Sequence, residues 1–258
     1  MTSLPLWAVF ASTVVLVLGS IRLGYFLAQW QLRRRPAAAE DGPVGSVVGA
    51  VLGLLAFLLA FTFGSASSRF DERKHLLIEE VNAIGTAFLR TDLLPQPTAD
   101  ECKDLLRRYV AGRASIPEDP EAMAQVLASA TKLQEQLWKL AMSLPGTDLP
   151  PPITALFVAA LNDVFDLHTS RTIVALQHRI PTTIWLGLIA MVALAMATVG
   201  YQFGVKSRSN AHVYWLLGLS FSAAVTLIAD LDKVTVGTLR VDQQPMVELQ
   251  QQLGPARR

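Results

Sequence analysis

Chemistry in this 258-residue chain would have to come from few groups. Its four histidines, His75, His168, His178 and His212, are scattered without zinc spacing. Cys102 is the only thiol, so it has no partner within the chain. Asp163 and Asp166, three residues apart, could offer oxygens to a divalent cation, but a hard-cation site needs several more ligands and the neighbourhood supplies none. With His168 and Arg171 they read as a surface patch. A glycine-rich phosphate loop, a nucleophile elbow and a zinc helix of the H-E-x-x-H kind are all missing. The chain is therefore expected to be no enzyme, with no catalytic residue, metal or cofactor.

What remains is a row at i+4 spacing: Gly45, Gly49, Gly53, Phe57, Phe61, Ser65 and Arg69. A helix drifts about 40° per such step, so three or four consecutive members share a face and the whole row does not. The glycines make a small-xxx-small stripe that lets another helix approach closely in lipid. Phe57 and Phe61 are either ordinary bulk or, repeated around a symmetry axis, a constriction that gates by dewetting. Ser65 and Arg69 either line the mouth of a pore or mark the membrane interface. The mixed-sign run Arg69, Asp71, Glu72, Arg73, Lys74, Glu79, Glu80 reads as a solvated or intersubunit face.

These residues need long apolar helices to carry them, and the composition provides them. The chain is 52% hydrophobic and only 17% charged, against about 25% charged in soluble domains. Nearly charge-free windows cover 4–21, 44–63, 182–205 and 213–229, each close to the roughly 20 residues needed to cross a bilayer. The first lacks a basic leader and has Arg33, Arg34 and Arg35 after it, so it is expected to be a retained span and not a signal peptide. Arg22 is expected to snorkel to the interface. Between the second and third windows the sequence is polar, its apolar residues recurring at helical spacing, as in Leu77, Val81, Ile84, Phe88. Thr98 to Glu101 has capping-box spacing, and Pro95, Pro97, Pro117, Pro120, Pro145, Pro150 and Pro181 mark breaks. The expectation is an all-α integral membrane protein with four transmembrane helices and a helical soluble insert between the second and third. Its parts are hairpin 1 (1–64), the insert (65–180), hairpin 2 (181–231) and a C-terminal tail (232–258). A net charge of +1 gives no basic excess for a nucleic-acid partner.

The stretch from Phe57 through Phe61, Ala66, Arg69 and Phe70 to Glu72 resembles the second transmembrane helix of the bestrophins, pentameric anion channels, and the order of elements, with acidic Asp230 and Asp232 after the last span, is similar. The chain is identified as a member of the bestrophin-like family of bacterial and plant membrane proteins. Thr62 and Gly64 depart from the arginine and asparagine usual there, and Lys233-Val234-Thr235 from a proline-phenylalanine. The resemblance implies a passive anion channel of chloride type in the inner cell membrane, a homo-oligomer with Phe57 and Phe61 as neck and Ser65 and Arg69 as mouth, with small anions and the lipid bilayer as partners. The alternative is a non-conducting membrane-anchored scaffold or sensor that binds a protein through its insert. Positive charge is nearly balanced between Arg33, Arg34, Arg35, Lys206 and Arg208 on one side and Arg69, Arg73, Lys74, Arg171, Arg179, Lys233 and Arg240 on the other, so orientation is not decided by the positive-inside rule. The resemblance places the insert in the cytosol.

Overall fold

A computed structural model of the chain describes residues 5–34, 44–115, 117, 119–176, 179–206, 211–233 and 237–256. The turn expected at Pro36 and 41–43, the cations Arg35 and Arg208, His178, and Val234 with Thr235 lie outside them. Among the described residues every regular element is helical. The helices are α1 (Leu6–Arg34), α2 (Val44–Arg90), α3 (Thr98–Ala114), α4 (Pro120–Ser143), α5 (Pro151–Leu176), α6 (Thr182–Val205), α7 (Ala211–Asp232) and α8 (Gln244–Leu253). Four are long and apolar enough to cross a membrane: α1, α2, α6 and α7.

The chain forms two compact units. The first holds α1, α2 as far as Ser68, α6, α7 and residues 237–239. Its tightest seam joins α1 to α6, and glycine makes it possible. A Cβ on Gly24 would lie 1.9 Å from the Ala197 carbonyl oxygen, and one on Gly200 1.9 Å from that of Ile21. Gly204, one turn on, meets Ala28 and Tyr25. Because Ile21, Gly24 and Ala28 face Gly200, Ala197 and Gly204 in that general order, the two helices run parallel. Gln29 Nε2 then donates to the Gly204 carbonyl at 3.1 Å, giving a carbonyl in the last turn of α6 a side-chain partner from α1. This packing is the lipid-type association that small residues allow, on a glycine pair in α6 that the sequence reading passed over.

The second unit holds α2 from Arg69 onward, α3, α4, α5 and the segment from Arg240. Its core is a single apolar cluster with Leu77 and Ile84 of α2, Leu106 and Val110 of α3, Leu137 of α4, Phe157 and Leu161 of α5, and Met246 and Leu249 of α8. The helix boundaries follow the prolines, with local differences. Asp119 caps α4 by accepting from the Ala122 amide at 2.9 Å, with Pro120 in the first turn. The capping box expected at Thr98 is not made: Pro97 occupies the N-cap position and no side chain caps α3. A 3-10 turn, Thr91–Leu93, ends α2, and the Thr91 hydroxyl, fully buried, donates back to the Phe88 carbonyl. The expected tail contains α8, whose Met246, Leu249 and Leu253 lie at helical spacing and join the core of the second unit.

Candidate functional site

Around α2 in the first unit, Val48, Leu55, Leu59, Thr62 and Ala66 form one buried stripe. At 100° per residue these five fall within about 60° of arc, whereas Phe57 and Phe61 fall some 100–180° away from them. Both phenylalanines are accordingly 66% exposed. Only 11% of the most apolar stretch of α2 is buried within the chain, against 39% of that of α6. Ordinary intrachain core is therefore excluded for the two rings. Gly49 and Gly53 have nothing within 4 Å of a would-be Cβ, and Gly45 meets only the Gln202 side chain at 3.3 Å. The glycine stripe thus lies open along the same helix, and close packing inside the chain falls to Gly24, Gly200 and Gly204 instead.

Ser65 is half-buried, as the drift of the row toward the buried stripe requires. Thr62, at the first departure from the bestrophin pattern, is buried and its hydroxyl donates to the Leu58 carbonyl at 2.7 Å. Gly64, at the second, has nothing within 4 Å. In the second unit Arg69 is half-buried, with one terminal nitrogen shielded from solvent and no hydrogen-bond partner among the described residues. Phe70 is half-buried with the Arg73 guanidinium 5.9 Å from its ring centre, and Glu72 is exposed.

The acidic pair at the end of α7 is structural in its contacts. Asp230 accepts from the backbone amides of Thr238 at 2.8 Å and Leu239 at 3.2 Å. Gly237, at φ 154°, passes so close that a Cβ would lie 2.3 Å from the Asp230 carboxylate, so only glycine fits that turn. Asp232 accepts from the Ile180 amide at 2.8 Å. Asp232 thus serves a buried backbone donor that would otherwise be unsatisfied, and Asp230 ties down the partly exposed turn that follows α7.

The densest polar chemistry lies in the second unit, at a place the sequence reading treated as surface. Glu80, expected in a solvated face, is fully buried. Tyr109 donates to its Oε1 at 2.8 Å, Arg113 donates to Oε2 at 3.3 Å, and Arg171 pairs with the same oxygen. Arg171 also donates to Gln243 Oε1 at 3.0 Å. His168 Nδ1 lies 3.0 Å from the Tyr109 hydroxyl. A carboxylate only accepts, so the phenol proton goes to Glu80 and His168 donates from Nδ1 to the phenol oxygen. One carboxylate thus joins α2, α3, α5 and the segment before α8.

The charges there follow from burial and neighbours. Burial alone would raise the Glu80 carboxyl, but Arg113, then Arg171, and the hydrogen bonds from Tyr109 and Arg171 hold it below its usual value. Burial, then the field of Arg113, pushes His168 down to about 4, so it is neutral at pH 7. Burial and then Glu80 push the Tyr109 phenol well above its usual range. His168 and Arg171 are therefore core residues and not part of a surface patch, whereas Asp163 and Asp166 are exposed as expected. The missed signal was periodicity: Glu80 stands three residues after Leu77 and four before Ile84, on the apolar stripe itself. Cys102 is also fully buried, and burial, then Glu101, pushes its thiol up to about 12. Among the described residues no three of His, Cys, Asp or Glu are placed to hold a metal ion.

Comparison with known proteins agrees with this architecture. Two crystal structures of single-site mutants of a bacterial bestrophin homolog from Klebsiella pneumoniae are 15% identical to this chain, with TM-scores of 0.67 and 0.65. The first aligns over 93% of this chain and 98% of its own, the second over 94% of each. A crystal structure described as a membrane protein is likewise 15% identical, with a TM-score of 0.66, covering 94% of this chain and 97% of its own. A search of curated protein sequences gave no match. A family profile for the Bestrophin-like domain matches residues 8–246; the chain is a membrane protein with the bestrophin-like fold and belongs to the bestrophin-like family.

Proposed function

We propose that the chain is one subunit of a passive, oligomeric anion channel of chloride type, pentameric as bestrophins are, with α2 lining the pore. Phe57 and Phe61 form the neck, and Ser65 and Arg69 form the mouth, where hydroxyls and a guanidinium replace part of an anion's lost hydration. Gly45, Gly49 and Gly53 give the close approach between copies. Ala66, Phe70, Glu72, Asp230 and Asp232 are the positions that carry the family pattern. The polar unit is cytosolic and the apolar unit sits in the inner membrane.

The single observation that supports this most is the exposure of both phenyl rings on the side of α2 opposite its own chain. A helix that leaves its apolar span so little covered by its own chain needs lipid or other copies against it, and aromatic rings around an axis gate by dewetting. Four such helices cannot enclose a pore alone. The test is halide flux into liposomes, per assembled oligomer, for wild type and Phe57→Ala/Phe61→Ala. A wider, more easily wetted neck raises flux at unchanged thermal stability. An intact oligomer with unchanged flux sinks the neck assignment. No flux from either protein, or a monomer in detergent, leaves the scaffold alternative.

A further inference from the structure

The hairpin of α3 and α4 holds a cleft that the channel reading does not use. Residues 100–108 of α3 face 136–140 of α4 across it, while 108–115 of α3 share a second groove with 122–133 of α4, so the two helices run antiparallel. The cleft measures about 600 Å³, within the range of small-molecule sites. Its walls are helix faces and not loops, which holds their side chains in fixed register.

Helix ends explain the charges on it. Asp100 and Glu101 stand in the first turn of α3, and Lys139 lies one turn from the end of α4, where the helix dipoles favour an acid and a base respectively. Antiparallel packing then sets the two signs on facing walls of the cleft.

Partners sort these charges. Asp104 lines the cleft and is only 8% exposed; Arg108, one turn on, neutralises it, its Nε donating to Asp104 Oδ2 at 2.7 Å. Asp100 accepts from Gln96 at 3.4 Å. Glu101 and Lys139 are left over. Both are exposed, they line the cleft from opposite sides, and neither has a hydrogen-bond or ion-pair partner among the described residues, so they do not reach each other. The apolar part of the lining is Leu105, which is buried, and Leu140, which is half-buried.

We propose that this cleft binds a zwitterion, an α-amino acid with an apolar side chain. Its ammonium meets Glu101, its carboxylate meets Lys139 and Gln136 on the facing helix, and its side chain rests on Leu105 and Leu140. Each charge of such a ligand finds an opposite charge that has no partner within the chain, and hydrogen bonds between ionised groups are roughly twice as strong as neutral ones. A simple amine or carboxylic acid leaves one wall unpaired. This binding is independent of ion conduction.

The test is isothermal titration calorimetry on the full chain in non-ionic detergent. L-leucine and L-phenylalanine should bind. L-leucinamide, which lacks the carboxylate, and isocaproate, which lacks the amine, should each bind at least about tenfold more weakly than L-leucine, the equivalent of one charge-assisted hydrogen bond. Glu101→Gln should weaken leucine by a similar factor and leave isocaproate unchanged, whereas Lys139→Gln should weaken leucine and leave leucinamide unchanged. Lys132→Gln, elsewhere on α4, should change nothing. No saturable binding of either amino acid would overturn the proposal. So would equal binding of leucine and either analogue, undiminished leucine affinity in either cleft variant, or a cleft variant that loses all three ligands alike.

Discussion

Glu80→Gln should be the most damaging single conservative change in the second unit. The substitution keeps the shape and removes the charge, so Arg113 and Arg171 lose their common counter-ion in a site where Arg113 is 7% and Glu80 0% exposed. Removing one partner of a buried ion pair costs about 3–5 kcal/mol, because the remaining charges stay desolvated. At roughly 2–4 °C of Tm per kcal/mol for a unit of this size, the shift is about 10–15 °C downward. Trp138 reports on it locally, since it is the one tryptophan in the second unit and packs edge-on to Phe165. The assay is thermal denaturation followed by tryptophan fluorescence, in a background with Trp7, Trp30, Trp185 and Trp215 changed to Phe. Arg171→Gln added to Glu80→Gln should recover part of the loss, because it removes one unpaired charge; the pair should couple by more than about 1 kcal/mol. A loss below about 1 kcal/mol, or strict additivity, would refute the account of Glu80 as the carboxylate that neutralises this core.

Three further outcomes follow from the same geometry. His168 has a folded value of about 4 against 6.5 unfolded, so between those values the unfolded chain binds more protons and stability falls as pH drops, by up to about 3 kcal/mol; Glu80, held low, adds a loss of the same sign at still lower pH, and His168→Gln should flatten the slope of Tm between pH 5 and 6.5. Gly200→Ala forces a methyl onto the Ile21 carbonyl and should cost at least about 1–3 kcal/mol, whereas Gly187→Ala, with nothing within 4 Å, should leave the melting temperature within about 2 °C of wild type. Cys102 should resist maleimide in native protein and react after denaturation, because it is buried and its thiol is pushed up to about 12; in a Cys102→Ala background, exposed Lys132→Cys should label only in permeabilised cells if the second unit is cytosolic.

What the sequence disclosed and what it hid divide along a physical line. The four apolar spans and the prolines between helices were legible, because each depends on composition or backbone chemistry within a few residues. Gly24 and Gly200 were harder, since a glycine in an apolar helix reveals its use only when the opposing backbone arrives at 1.9 Å. The Glu80 cluster was misread for a related reason. Charge suggested solvent, while position on the Leu77–Ile84 stripe demanded burial, and the conflict resolves only through Tyr109, Arg113 and Arg171, the nearest of them 29 residues away. A charged residue on an apolar stripe is therefore better read as a request for partners than as a break in the core, and here both arginines that answer it sit at core positions of their own helices: Arg113 one turn after Tyr109, and Arg171 seven residues after Val164. The α2 phenylalanines present the opposite case. Their stripe is apolar, their own chain leaves it uncovered, and residues that satisfy no intrachain need are where an interface or a pore has to be sought.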